Sequence, residues 1–147
     1  MYEFLSWRVA DVMTRAVQTL STDAAIRDAE ALFDAHDFDA LPVVSDEGGL
    51  AGIVSKLDVL RAYVFTSESI VPRYDEIRKR PVRTIMTLQP LTIAPDQPLT
   101  RALEMLAATR VKSLPVVEQG RLVGIVARED VIRALRRAAA RESPPRA

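Results

Sequence analysis

The chain has 147 residues and no cysteine, which removes disulfides, thiolate metal sites and thiol nucleophiles. Its single histidine, His36, is the only side chain whose ordinary pKa lets it trade protons near neutral pH, and no metal-spaced partner accompanies it. Its expected role is surface or packing. Glycine is sparse, with 5 in all, and none sits in a Gly-x-Gly-x-x-Gly, Gly-x-Ser-x-Gly or Walker pattern; His-Glu-x-x-His is also missing. An enzyme is therefore not expected. Charge of one sign is lacking too: Lys+Arg 20 balance Asp+Glu 20, and the sequence pI is about 6.6. Such a balance gives no electrostatic footprint for nucleic acid or an anionic membrane. Long apolar runs are missing as well, because Glu3, Arg8 and Asp11 interrupt the amino end "MYEFLSWRVADVMT", which leaves no core of signal or membrane-spanning length. A cytoplasmic location is the expectation.

What the chain does contain is internal repetition. Residues that are 48% hydrophobic and 27% charged suit a folded globular chain, long enough for one ordinary core or two small ones. "VMT" at 12–14 returns as "IMT" at 85–87. Met13 and Met86, Thr19 and Thr92, Asp23 and Asp96, Ala29 and Ala102, and Pro42 and Pro115 are each 73 apart. After one deletion in a turn, Gly52 and Gly124, and Asp58 and Asp130, are 72 apart. That period is longer than those of open solenoids, so the expectation is two copies of a small subdomain, each too small to bury its own faces alone.

Within a copy the pattern predicts β-α-β-β-α. "AVQTLS" and "QPLTIA" have strand composition. The first helix carries Ile26, Ala29 and Phe33 on one face; its counterpart carries Leu99, Ala102, Leu103 and Leu106, with Asp96 as expected N-cap and Pro98 in the first turn. "LPVVSDEGGLAGIVS" and "LPVVEQGRLVGIVA" read as hairpins of buried strands. A closing helix follows each. The first is expected from Lys56 to about Phe65 with Leu57, Leu60 and Val64 as its packing stripe; in the second, Val131, Ile132 and Leu135 take that role. The divisions are 1–66 for the first repeat with an amino-terminal arm, 67–80 for a packed linker, 81–137 for the second repeat, and 138–147 for a fraying tail. Trp7 with Tyr2, Phe4 and Leu5 either covers a dimer surface or packs on its own module.

The doubled order of "(V/I)MT", a Thr-containing strand, a helix, "LPVV", a Gly turn, "GIV" and a closing "xxD" resembles the cystathionine-β-synthase (CBS) domain, and two in tandem resemble a CBS pair. The likeness covers roughly residues 9–137. It implies an α+β fold whose repeats pack through their sheets about a pseudo-twofold axis, and clefts for adenosine-containing ligands: AMP, ADP, ATP, S-adenosylmethionine or a dinucleotide. No cofactor is required beyond such a regulatory ligand. It also implies a homodimer with helices at its interface, and a regulated partner protein on another chain.

By the same likeness, Asp58 and Asp130 are the ribose positions, where an ionised carboxylate accepts both vicinal hydroxyls. Ser55 would bond ribose or phosphate, with Lys56, Arg110, Lys112 and Arg128 as phosphate cations. Base contacts fall on Met13, Ala16, Gln18, Phe38 and Asp39 in the first copy, and on Met86, Gln89, Leu91, Val111 and Lys112 in the second. The first copy offers His36, Asp37 and Asp39 where the second has Arg110 and Lys112. Unequal affinity for a polyphosphate follows.

Other readings of the same residues stay open. Ser55-x-x-Asp58 is nearly a helix capping box, and Met13 and Met86 could be core fillers. Gly52 and Gly124 suit close backbone approach. Ala127 replaces the serine in the second copy and cannot cap, so helix-end chemistry alone explains the retention of Asp130 less well than a ligand does, although the acid could still serve the helix dipole. On this reasoning the Ser55 and Asp58 site is expected to be the better nucleotide site. A scaffold that dimerises and regulates a partner by contact, its clefts empty, is the alternative.

Overall fold

The structure, a computed structural model, describes residues 2–64 and 74–145. The expected linker is thus seen only from Tyr74 onward; 67–73, and the expected helix end at Phe65, lie outside the described residues. Strand β1 (Leu20–Ser21) leads to helix α3 (Ile26–Ala35), the antiparallel hairpin β2 (Ala40–Val44) and β3 (Leu50–Ser55), and helix α4 (Lys56–Ala62). After α5 (Tyr74–Lys79) and a 3-10 turn (Val82–Thr84), the order returns as α6 (Leu99–Ala108), β4 (Ser113–Glu118), β5 (Arg121–Ala127) and α7 (Arg128–Ala139). Two short helices, α1 (Tyr2–Ser6) and α2 (Val9–Val12), precede them. The fold is α+β, as the pattern predicts.

Both hairpins pair in the same register. Ala40 faces Ser55 and Val43 faces Gly52, as Ser113 faces Ala127 and Val116 faces Gly124; each then shifts register at the next residue, after Val43 and after Val116. The leading strands are shorter than expected. β1 pairs in parallel with β2 over two residues, and "QPLTIA" contributes one bridge, Ile93 to Val116.

The chain divides into two compact units, Met1–Val17 with Leu91–Ala147, and Gln18–Pro90. These units cut across the sequence repeats. The leading segment of the first copy belongs with the body of the second, and that of the second copy with the body of the first. Backbone bonds fix the exchange: Thr14 and Ile125 bond reciprocally at 2.8 and 2.9 Å, and Ile53 and Thr87 at 3.0 and 2.8 Å.

In the unit containing both termini, Val9, Val12, Met13, Leu99, Ala102, Leu114, Val116 and Val126 form a closed core. Leu20, Ala29, Leu41, Val43, Val54 and Val82 form that of the other. Each fully buried Leu or Val side chain contributes roughly 1.5–3 kcal/mol. Ile26 and Ala29 are buried as the α3 pattern predicts, and Phe33 packs at the edge.

Two packing expectations are corrected. Leu57, Leu60 and Val64 are 52, 66 and 67% exposed; Val59, off that stripe, is the α4 residue that packs on the core. Ile132 likewise faces outward at 65%, while Val131 is buried. Asp96 is not the N-cap of α6, because Pro98 takes that place. The first helical amide, that of Leu99, donates instead to the carbonyl of Trp7 at 2.9 Å, so a backbone carbonyl satisfies one of the open amides at this helix start.

The helix α5 is held by a polar cluster on α3. The Tyr63 hydroxyl donates to Glu30 Oε1, Arg78 Nε donates to Glu30 Oε2 at 3.1 Å, and Tyr63 and Tyr74 rings lie 5.9 Å apart. Burial, and then the Glu30 carboxylate, push the Tyr63 phenol up to about 12. It stays a donor across the ordinary pH range. Among the described residues no helix is long and apolar enough to cross a membrane.

Candidate functional site

Each unit brings together three pieces: a leading segment, the loop before the first hairpin strand, and the start of the closing helix. In the unit Gln18–Pro90 the amide of Lys56 donates to the Asp39 carbonyl at 3.2 Å, fastening the 36–39 loop to the start of α4. His36 and Phe38 stack there, centroids 4.9 Å apart and tilted 24°. In the other unit Arg128 donates from its amide to the Lys112 carbonyl at 3.1 Å, and from its guanidinium to the Thr109 carbonyl at 3.3 Å.

The exchange regroups the expected base contacts. Met13 and Ala16 stand with Leu91, Val111, Lys112, Arg110, Arg128 and Asp130 in one unit; Met86, Gln18 and Gln89 stand with Phe38, Asp39, Ser55, Lys56 and Asp58 in the other. Met13 is buried at 1% exposure, a core residue. Met86 is half-buried against its core. Ala16, Gln89, Leu91, Arg110, Lys112 and Lys56 are exposed, and Val111, Phe38, Asp39 and Asp58 are half-buried.

The capping question has a geometric answer. Ser55 Oγ accepts the Asp58 amide at 3.1 Å, and Asp58 Oδ2 accepts the Ser55 amide at 2.9 Å: a complete capping box. Asp130 Oδ2 accepts the Ala127 amide at 2.8 Å, so the second copy keeps the carboxylate half of the box. The same half-box recurs where Asp11 accepts from Arg8 and Asp28 from Ala25, both at 2.8 Å. The retention of Asp130 therefore has a helix-end explanation, contrary to the argument from Ala127. Asp130 differs from Asp58 in burial: its side chain is 9% exposed, and Oδ1 receives Arg133 Nη1 at 3.3 Å.

A test of the box is direct. Replacing Ser55 with alanine is expected to cost about 1 kcal/mol, and Ala127→Ser to return a similar amount, since both caps share extended backbone at φ −100, ψ 164 and φ −106, ψ 167. Urea titration of both variants checks this; an Ala127→Ser midpoint below wild type would reject it.

The sequence reading missed Ser113. This buried serine, 7% exposed, is the cross-strand partner of Ala127, whereas Ala40 is the partner of Ser55. Directly opposed residues share a sheet face with Cβ atoms about 4.5–5.5 Å apart. The hydroxyl absent from position 127 thus reappears on the neighbouring strand. Subtracting the repeat offset at Ser113 would have exposed the swap. An apolar groove of about 320 Å³ lies beside this region, lined by Leu103, Leu106, Ala107, Val131, Ile132 and Leu135, with Arg128 at its polar edge. Among the described residues no cluster of three or more His, Asp or Glu could hold a metal ion.

A doubled helix-hairpin-helix unit with exchanged leading segments defines a tandem module, and a sequence model of the CBS domain matches residues 9–65 and again 82–137. The chain belongs to the CBS-domain family, as a tandem pair. A CBS domain-containing protein of Dictyostelium discoideum is 32% identical over 127 residues, 84% of this chain and 88% of that protein. Some other curated relatives are far longer, and the chain spans 23% of the homoserine O-acetyltransferase of Methanococcoides burtonii, at 34% identity over 126 residues. The crystal structure of CBSX2 in complex with AMP is 28% identical with a TM-score of 0.78, covering 90% of this chain and 98% of that one. The CBS domain pair of protein MJ0100, in complex with 5′-methylthioadenosine and S-adenosyl-L-methionine, is 25% identical with a TM-score of 0.71, covering 88% and 95%.

Proposed function

We infer that this chain is a regulatory ligand-sensing module that binds an adenosine-containing ligand, AMP, ADP or ATP foremost. The observation that carries the reading is that similar CBS pairs have been solved with AMP, 5′-methylthioadenosine and S-adenosyl-L-methionine. These ligands share an adenosine moiety. Asp58 and Asp130, whose carboxylates accept the amides of Ser55 and Ala127, are the proposed ribose acceptors, and the 36–39 and 109–112 loops the proposed base walls. Because each unit joins a leading segment of one repeat to the body of the other, a ligand there touches both repeats. Its occupancy favours whichever arrangement it fits best, and shifts it only by its differential affinity. No catalytic step is assigned.

A thermal-shift and calorimetry panel with AMP, ADP, ATP, NADH and S-adenosylmethionine tests this. A ligand at a hundred times its Kd is expected to stabilise by about 2.7 kcal/mol, with no product formed from ATP. Flat responses from nucleotide-free protein would reject the reading.

The exposure of Leu57, Leu60 and Val64 supports a second feature, homodimerisation through the face around α4, which would cover these apolar side chains. If no nucleotide binds, a dimeric scaffold acting on a partner protein by contact is the reading that remains.

A further inference from the structure

The two sites carry opposite charge at equivalent positions. Across residues 109–112 and 127–130, one unit presents Arg110, Lys112 and Arg128 against Glu129 and Asp130. Across the equivalent 36–39 and 55–58, the other presents Lys56 alone against Asp37, Asp39 and Asp58. The difference is three unit charges on the loop and helix start that flank the ribose aspartate.

Ser55 Oγ accepts the Asp58 amide and keeps its proton as a donor, so this hydroxyl does not exclude a phosphate and the charges around it decide. The α4 helix it caps has seven residues, too short to lend an anion a helix terminus of substance. Ser113 is the cross-strand partner of Ala127, the residue that precedes the twelve-residue α7, whose first amides and dipole favour negative charge. Arg128 is fastened there by its bond to Thr109.

We propose that the sites divide ligands by phosphate. The Asp130 site takes a phosphorylated adenosine, with Arg110, Lys112, Arg128 and the Ser113 hydroxyl facing the phosphate. The Asp58 site takes an adenosine whose 5′ substituent is neutral or cationic, because Asp37 and Asp39 repel a phosphate. This rests on the adenosine-binding reading above and reverses the expectation drawn from Ser55, because one hydroxyl donor does not offset the carboxylates of Asp37 and Asp39. A phosphate monoester carries about −1.5 to −2 charges at pH 7, and each opposed unit charge at 4 Å is worth about fivefold in affinity even at the dielectric of water. The expected discrimination is at least about tenfold.

Calorimetry on the full chain with adenosine and AMP tests it, using Asp58→Asn to isolate the Asp130 site and Asp130→Asn to isolate the other. The Asp58→Asn protein is expected to bind AMP at least about tenfold tighter than adenosine, a preference that shrinks in about 1 M salt. The Asp130→Asn protein is expected to show none or the reverse. Because Asp130 is buried, the exposed pair Arg110→Asp with Lys112→Asp supplies a second route, and should remove the AMP preference while adenosine still binds. Equal AMP-to-adenosine ratios at both sites, or a ratio untouched by the exchange, would overturn the proposal while leaving adenosine binding intact. Failure of the wild-type chain to bind either ligand would overturn this division of sites, and failure with the whole nucleotide panel as well would overturn the adenosine-binding reading too.

Discussion

Replacing Gly52 with alanine is expected to lower the thermal midpoint by about 6–12 °C, corresponding to about 3 kcal/mol at 2–4 °C per kcal/mol for a chain of this size. A Cβ at Gly52 would stand 2.7 Å from the Thr87 carbonyl oxygen and 2.9 Å from Met86 Sδ. The sulfur can swing away, but the carbonyl cannot, because it accepts the Ile53 amide at 3.0 Å. Room for one methyl therefore means losing reciprocal backbone bonds, about 1 kcal/mol each, on top of an overpacking cost of about 1–3 kcal/mol. Gly124→Ala repeats the experiment in the other unit, with Met13 Sδ at 2.7 Å and the Thr14 carbonyl at 2.9 Å. Gly120 is the control: nothing lies within 4 Å of its Cβ, yet its φ is +79. It needs a left-handed backbone, so Gly120→Asn should be tolerated where Gly120→Ala costs about 1 kcal/mol. Calorimetric melts of the four variants separate space from conformation, and a Gly52→Ala midpoint matching wild type would refute the close-approach argument.

The same two glycines show what a sequence conveys about this fold. Their 72-residue offset, and the 73-residue offset of Met13 and Met86, establish that the segments are equivalent. Equivalence cannot decide partnership. A leading segment fits either hairpin equally well by pattern, so the exchange that puts Met13 under Gly124 and Met86 beside Gly52 becomes visible only in three dimensions.

Periodicity located the buried faces of α3 and α6, where a single face meets the core. It misled on α4 and the residues just after it, where Leu57, Leu60 and Val64 are exposed while Val59 packs inward. A short helix with apolar residues on two faces has no internal sign of which one is covered. Asp96 failed as a cap for a related reason: the Leu99 amide is satisfied by Trp7, 92 positions earlier in the chain. The site was legible as a set of residues but not in its division of labour. Ser-x-x-Asp described a helix start and a ribose acceptor equally well, and only the bond from Asp130 to the Ala127 amide shows that the acid retains its helix-end work without the hydroxyl.

The amino-terminal arm gives the largest single effect. Trp7→Ala is expected to cost about 3–5 kcal/mol, because the indole is 8% exposed and Phe4, 3% exposed, packs beside it with ring centroids 6.3 Å apart. A five-residue helix such as α1 does not persist in water by propensity, so its position depends on those two side chains. Backbone bonds then sew the arm to the α6 approach: Leu99 to the Trp7 carbonyl, Val9 to that of Gln97 and Ala10 to that of Pro95, each 2.9 Å. Loss of the indole should release them together, because each depends on the arm lying in place. The sequence left two roles open for this arm, covering a dimer surface or packing on its own module. If it packs on its own module, Trp7→Ala lowers the melting midpoint by about 6–20 °C at every protein concentration, and hydrogen-exchange protection falls first in α1, α2 and the start of α6. An arm that served chiefly a dimer surface would make the loss concentration-dependent. The burial of Phe4 and Trp7 among Val9, Leu99 and Ala138 within one chain sets the expectation on the first outcome, and a midpoint that converges with wild type on dilution would reverse it.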